Sequence, residues 1–458
     1  MRSSLFSEFS PTDKNAWTQQ VLKDLKGKDF DTTLRWHTPE GFVVEPYYTD
    51  EDVPEAPVAS MQAAQQKKVG WLTRPVVVYK NERVTNAEML SLLQKGADAL
   101  TLDLRGVSLE TVDLMKLLNG LKLSDTPVFF QTNGRTAELV RGLQSFIAYQ
   151  MKGGAADDGL AEWMTTGHLS ETYFDELAAL CTAVKDSPHF KTICAGSHVF
   201  HNAGANAAQE LAFTLASAVT YVDKLTDAGL SAEEAFSKLY FSVSIGTNYF
   251  MEIAKLRALR YLWQRVQTSW GGEPKTVYLH AQTSTYYDAA ITPNTNFLRA
   301  TTESMSAVIG GCDALTVHAY DAVFRQPDEF SERIARNVSV LLKEEGHLDK
   351  TLDPAAGSYF LENLTQQVAD SAWTLFLEVE AKGGLCAAFE QNFIQDQIEQ
   401  NAQSTLSALQ QGMRVMVGVN KFRVDEEPLK SIVEPKPVAS AVPYRLLKNQ
   451  RIAQTFEQ

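Results

Sequence analysis

The chain has 458 residues, 44% of them apolar and 21% charged, with a net charge of −14. This composition is that of a globular protein and excludes intrinsic disorder, which needs low hydrophobicity together with high net charge. The acidic balance, without any Lys/Arg-rich run, disfavours nucleic acid; no apolar stretch reaches the ~18 residues of a membrane span, and no signal-peptide core opens the chain, so a cytoplasmic protein is expected.

In chain order, the first sixty residues read as an arm. Ser10-Pro11-Thr12-Asp13 predicts a helix start, with a Ser cap and Pro at the first helical position, and Gly27 predicts its end. Prolines at 39, 46, 54 and 57 favour extended chain. From about residue 75, short β-branched runs alternate with helical patterns. The predicted strands cover 75–80, 99–104, 127–132, 145–150, 192–197, 240–245, 276–282 and 314–319. Each is apolar on both faces, as strands of a covered parallel sheet must be. Thr85 to Glu88 and Ser231 to Glu234 match capping boxes, and a helix is expected from Asn248 to Trp263. Eight βα units over about 250 residues predict a closed (β/α)8 TIM barrel, with an open doubly wound sheet as the alternative. Two long helical stretches, 331–345 and 364–411, and a β-like piece at 415–420 follow the eighth strand. The prolines at 428, 435, 437 and 443 predict a second extended arm. The expected organisation is therefore an N-terminal arm (1–70), a barrel (71–330), C-terminal helices completing it (331–425) and a C-terminal arm (426–458).

In a barrel, chemistry belongs at the C-terminal ends of the strands. That rule selects residues 196–205 after the fifth strand, Gly246-Thr247-Asn248 after the sixth, His280 to Ser284 at the seventh and His318 to Asp321 at the eighth. Histidine there could serve as a general acid or base, or could be hydrogen-bonded inside a layered core. The four scattered cysteines show no CxxC spacing, and no metal-binding helix motif or P-loop occurs. Spacing leaves a Ser/His/Asp triad open, although no G-x-S-x-G elbow is present.

Several segments resemble the methylmalonyl-CoA mutase family. GTNYFMEIAKLRALRYLW (246–263) is similar to the family's G-M-N-F-F-M-E-I-A-K-L-R-A-A-R-x-L-W. HAQTS (280–284), with Asn294, Asn296, Arg299 and Glu303 after it, resembles H-x-Q-T-S and its continuation. LDPAAGSYFLENLT (352–365), TPEGFVVEPYYT (38–49) and NAGANAAQELAFTLASAVTYV (202–222) resemble further family segments, in order along the chain. The resemblance implies a barrel that binds acyl-CoA, and interconversion of methylmalonyl-CoA and succinyl-CoA by a radical that adenosylcobalamin supplies from a separate C-terminal domain.

The departures from the family pattern are as informative. None of the eight histidines has an Asp two positions before it, as the cobalt-ligating D-x-H-x-x-G requires. Where the family carries G-Y-H-M-Q-E-A-G-A, this chain places His198 for the Tyr, Val199 for the His and Asn202 for the Glu; a one-residue shift would put His198 under the His and Ser197 under the Tyr. Lys238 and Tyr240 stand where the family's CoA-contacting Arg and Ser stand, and lysine cannot reproduce the planar arginine fork. His318 and Ala322 fall in the segment after the eighth strand, where the family's acidic residue is lost. The R-G-x-Y-P-x-M-Y segment is replaced by WLTRPVVVY (71–79). Each lost group costs catalysis about 10²–10⁴-fold. No catalytic or metal-binding residue is therefore expected, and Asn248, His280, Gln282 and Ser284 remain as residual site-lining candidates. The pattern resembles the small (beta) subunit of heterodimeric members. It implies a non-catalytic role stabilising a large (alpha) subunit that carries the adenosylcobalamin, with none bound by this chain. The alternative is a substrate-binding barrel whose cobalamin domain lies on a separate chain.

Overall fold

Strands that are apolar on both faces need cover on both sides, and this chain supplies it by closing them into a ring. The computed structural model, which describes residues 12–53, 55–424 and 442–457, holds two five-stranded parallel sheets joined at two interrupted strands. The first barrel strand runs as Leu72–Thr73, paired with the eighth, and continues as Val76–Val78, paired with the second. Pro75 sits at the break, where it has no N–H to give a ladder. The fifth strand likewise pairs through Phe190–Lys191 with the fourth and through Ile193–Gly196 with the sixth. The second (Leu100–Asp103), third (Val128–Gln131), sixth (Leu239–Ile245), seventh (Tyr278–Thr283) and eighth (Ala314–Thr316) strands complete a closed (β/α)8 barrel.

The fourth strand is not where apolarity predicted it. Residues 145–150 end a helix and turn, and the strand is Gly153–Ala155. Gly153 has φ +114°, and a Cβ there would lie 1.9 Å from the Val128 carbonyl oxygen. The backbone approach that builds this strand admits only glycine, whose lack of a side chain hides the strand from an apolar pattern.

Other boundaries move for local reasons. Asp13, not Ser10, caps the helix Lys14–Asp24, accepting from the Ala16 amide at 2.7 Å; Ser10 and Pro11 lie outside the described residues. The helix predicted to start at Thr85 starts at Glu82, capped by Asn81. Thr85 instead accepts from the Lys80 amide inside the first turn. The Ser231 capping box forms as expected. The stretch 364–411 belongs to three helices, Tyr359–Ala381, Gly384–Glu390 and Phe393–Gln410, interrupted at Gly383 (φ +98°) and Asn392 (φ +62°). The piece at 415–420 is a turn held by a single bridge, Val417 to Lys421.

Helices Ala207–Asp227 and Tyr249–Ser269 are buried on almost every side, since Tyr359–Ala381 packs across their outer faces. The described parts of both arms lie on their own chain. Trp17 stacks on Tyr47 at 4.9 Å, and Asn363 Nδ2 donates to the Asp52 carbonyl at 2.9 Å. The described C-terminal segment straps the barrel mouth, its Leu447, Gln450 and Ile452 amides donating to the Met164, Asn202 and Tyr286 carbonyls. Among the described residues no helix is long and apolar enough to cross a membrane.

Candidate functional site

The fifth strand ends at Gly196, whose amide donates to Asp158 Oδ2 at 2.7 Å, and the turn that follows aims His198 into the bore. His198 Nδ1 is 2.7 Å from Ser244 Oγ, and its Nε2 is 2.9 Å from Ser242 Oγ. Ser242 Oγ is also 2.9 Å from His280 Nδ1, and His280 Nε2 is 2.8 Å from Thr316 Oγ1. Thr316 Oγ1 donates to the Arg74 carbonyl at 2.6 Å. That last bond sets the direction of the whole chain: both imidazoles carry hydrogen on Nε2, Ser242 donates to His280, and Ser244 donates to His198. Every ring nitrogen is used. Burial pushes the His198 pKa down to about 3 and that of His280 well below its usual value, so both rings are neutral.

Below this network the axis is plugged. The Arg74 guanidinium lies 3.6 Å over the Phe129 ring and donates from Nε to Thr101 Oγ1 at 2.7 Å. Phe129, Tyr240 and Tyr278 pack against one another, and the Tyr240 hydroxyl donates to the Ala155 carbonyl at 2.8 Å. A cavity of about 90 Å³ remains above them. Pockets that enclose drug-sized ligands hold about 300–1,000 Å³.

A second network lies behind the fifth, sixth and seventh strands. His201 Nδ1 is 2.7 Å from Glu210 Oε1, and its Nε2 is 2.7 Å from Ser284 Oγ. Lys255 Nζ contacts Glu210 at 3.1 Å and Glu252 at 2.6 Å. Burial opposes charge on Glu210, but Lys255 and His201 outweigh it and hold the carboxyl below the usual range. Ser284, His201 and Glu210 have the order of nucleophile, base and orienter, the triad that spacing left open. All three are at most 3% exposed, so no substrate reaches the serine; the network ties the turns after the fifth and seventh strands to the helices Ala207–Asp227 and Tyr249–Ser269.

The residues named from the sequence fall in several places. His198, Val199, Tyr240, His280 and Gln282 meet around the bore cavity. Ser284 belongs to the buried triad, and Asn248 lines a small cavity beside it with His201 and Glu252. His318 and Ala322 line a cleft where the first and eighth strands part. The Asn202 carbonyl accepts from the C-terminal strap. Lys238 is at the opposite end of the barrel, donating to the Val184 and Ser187 carbonyls at 2.7 and 2.8 Å. Arg74, Glu210 and Lys255 were not singled out from the sequence. Their signal was there: Arg74 shares the alternating face of Val76 and Val78, Glu210 is the lone charge between 207 and 222, and Lys255 follows Glu252 at helical i, i+3 spacing.

The sequence model of methylmalonyl-CoA mutase matches residues 99–454. The chain belongs to this family. It is 36% identical to the methylmalonyl-CoA mutase small subunit of Porphyromonas gingivalis, over 92% of this chain and 71% of that one. It is 32% identical to the small subunit of Streptomyces virginiae, over 95% and 74%. The large subunit of P. gingivalis is 31% identical, over 87% and 62%. The mutase family implies cobalamin, whose cobalt would take a free imidazole nitrogen, and the two histidines that line the bore offer none. His198, His201 and His280 have both ring nitrogens committed, and His37 faces Asp31 at 3.0 Å.

Proposed function

We propose that this chain is a non-catalytic small subunit of a methylmalonyl-CoA mutase, working in the cytoplasm and stabilising a large subunit that carries the adenosylcobalamin. The observation that carries this reading is the filled bore. Arg74, Phe129 and Tyr240 occupy the axis along which the family's acyl-CoA would thread, and about 90 Å³ is left. The neutral, fully hydrogen-bonded His198 and His280 have no free nitrogen with which to move a proton. The similarity to small subunits, one of them from an organism that also has a named large subunit, supports the choice of partner.

The test is co-expression with the large subunit of the same genome. A stable complex is expected, with mutase activity that survives heating longer than that of the large subunit alone. Calorimetry of this chain with succinyl-CoA should show no binding below millimolar concentration. Submillimolar binding would instead support a substrate-binding barrel served by a cobalamin domain on another chain.

A further inference from the structure

Among the described residues, Arg74 is a buried cation without a counter-ion. It is 1% exposed. The other fully buried cations on the barrel's helices each meet carboxylates: Lys255 with Glu210 and Glu252, Arg257 with Asp353 and Glu362, and Arg260 with Asp313. Lys238 has only carbonyl partners, but a lysine can shed its proton when buried. Arginine cannot.

The contacts of Arg74 leave its charge unmatched. Nε is spent on Thr101 and the guanidinium face on Phe129, while Nη1 is buried and finds no acceptor among the described residues. The Tyr240 and Tyr278 hydroxyls feel its charge, but Nη1 reaches neither in hydrogen-bond geometry, and a phenol does not neutralise a guanidinium. Asp158 lines the same cavity, but its oxygens accept from the Ala161 and Gly196 amides and the Tyr221 hydroxyl, and it makes no ion pair with Arg74. A charge buried without a partner is strongly disfavoured, because no nearby group replaces the water it lost.

We propose that the bore is a binding site for a small planar carboxylate, an organic acid of acetate size or bicarbonate, seated on the Arg74 guanidinium. The 90 Å³ cavity opens beside Arg74 and is lined by Thr101, Gln131 and Gln282, which can donate hydrogen bonds to such a ligand. At about 10–15 Å³ per water it admits about six to nine water-sized groups, enough for a carboxylate of about four heavy atoms and too few for a CoA thioester. The half-exposed Val76 marks the way in from the mouth. A planar anion matches the guanidinium fork with two parallel hydrogen bonds. This site is independent of the subunit role proposed above.

The experiment is thermal unfolding of the full chain in sodium acetate, sodium bicarbonate, sodium chloride and acetamide, at constant ionic strength and pH. A saturable rise of Tm is expected with acetate or bicarbonate and not with acetamide. Whichever of the two saturates at lower concentration identifies the source. An equal response to acetate, chloride and acetamide, or a stronger response to chloride, overturns the proposal. Arg74→Gln should raise the half-saturating acetate concentration at least tenfold; a folded variant that keeps the wild-type response also overturns it. Should that variant fail to fold, the acetate-against-acetamide comparison on the unaltered chain decides by itself.

Discussion

His198 is a base that its surroundings keep uncharged. Burial pushes its pKa from 6.5 down to about 3, with His318 and His201 adding to the push. The unfolded chain takes up this proton as pH falls through 6.5, while the folded chain refuses it until near pH 3. Between those values the histidine therefore makes stability fall as pH falls, by about 1.36 kcal/mol per pH unit. Glu303 and Asp288 act in the opposite sense, because burial raises both carboxyls and the folded state keeps their protons. The clean measurement is therefore a difference. Urea unfolding of the wild type and of His198→Gln between pH 6 and pH 4 should show slopes of stability against pH that differ by one proton. Equal slopes would mean that His198 is charged in the fold.

The fourth strand shows what an element can demand of single residues. Gly153 and Gly154 would each place a Cβ 1.9 Å from a neighbouring carbonyl oxygen, of Val128 and of Lys191 respectively. Gly153→Ala should cost at least about 3 kcal/mol, read from the urea midpoint or as loss of soluble chain; a near-neutral effect would mean that this strand can shift. The same residues explain why seven strands were legible and one was not. Tertiary approach, not side-chain apolarity, made residues 153–155 a strand. Thr85 shows a similar limit, since Asn81 has already begun the helix and the Thr85 hydroxyl accepts from the Lys80 amide instead of capping. At the site, resemblance pointed to His198, His280 and Gln282, which do meet in the bore. It did not reveal that Ser242, Ser244 and Thr316 would use every ring nitrogen, because that depends on the register between the sixth, seventh and eighth strands. Nor could it place Lys238 at the far end of the barrel, where it closes the helix Ala232–Lys238 just before the sixth strand, four positions ahead of the inward Ser242.

Across the whole molecule, the C-terminal segment joins parts of the barrel that are distant in sequence. Trp163 Nε1 donates to the Tyr444 hydroxyl at 2.9 Å, and Leu447, Ile452 and Ala453 are buried against the mouth. Gln450 Nε2 donates to the Ala203 carbonyl beside the His198 turn, so the strap holds down the loop that carries the bore network. An arm used only to embrace another subunit would leave the lone chain's stability unchanged when its anchors are cut. A strap integral to this fold behaves differently. Replacing Leu447 and Ile452 together by alanine removes two buried aliphatic side chains from separate places, and should lower the unfolding free energy of the isolated chain by about 5 kcal/mol. Urea unfolding of the isolated double variant makes the distinction. A loss of that size assigns the strap to this barrel, leaving the surfaces outside it to meet a partner, whereas an unchanged midpoint would release the segment for use between subunits.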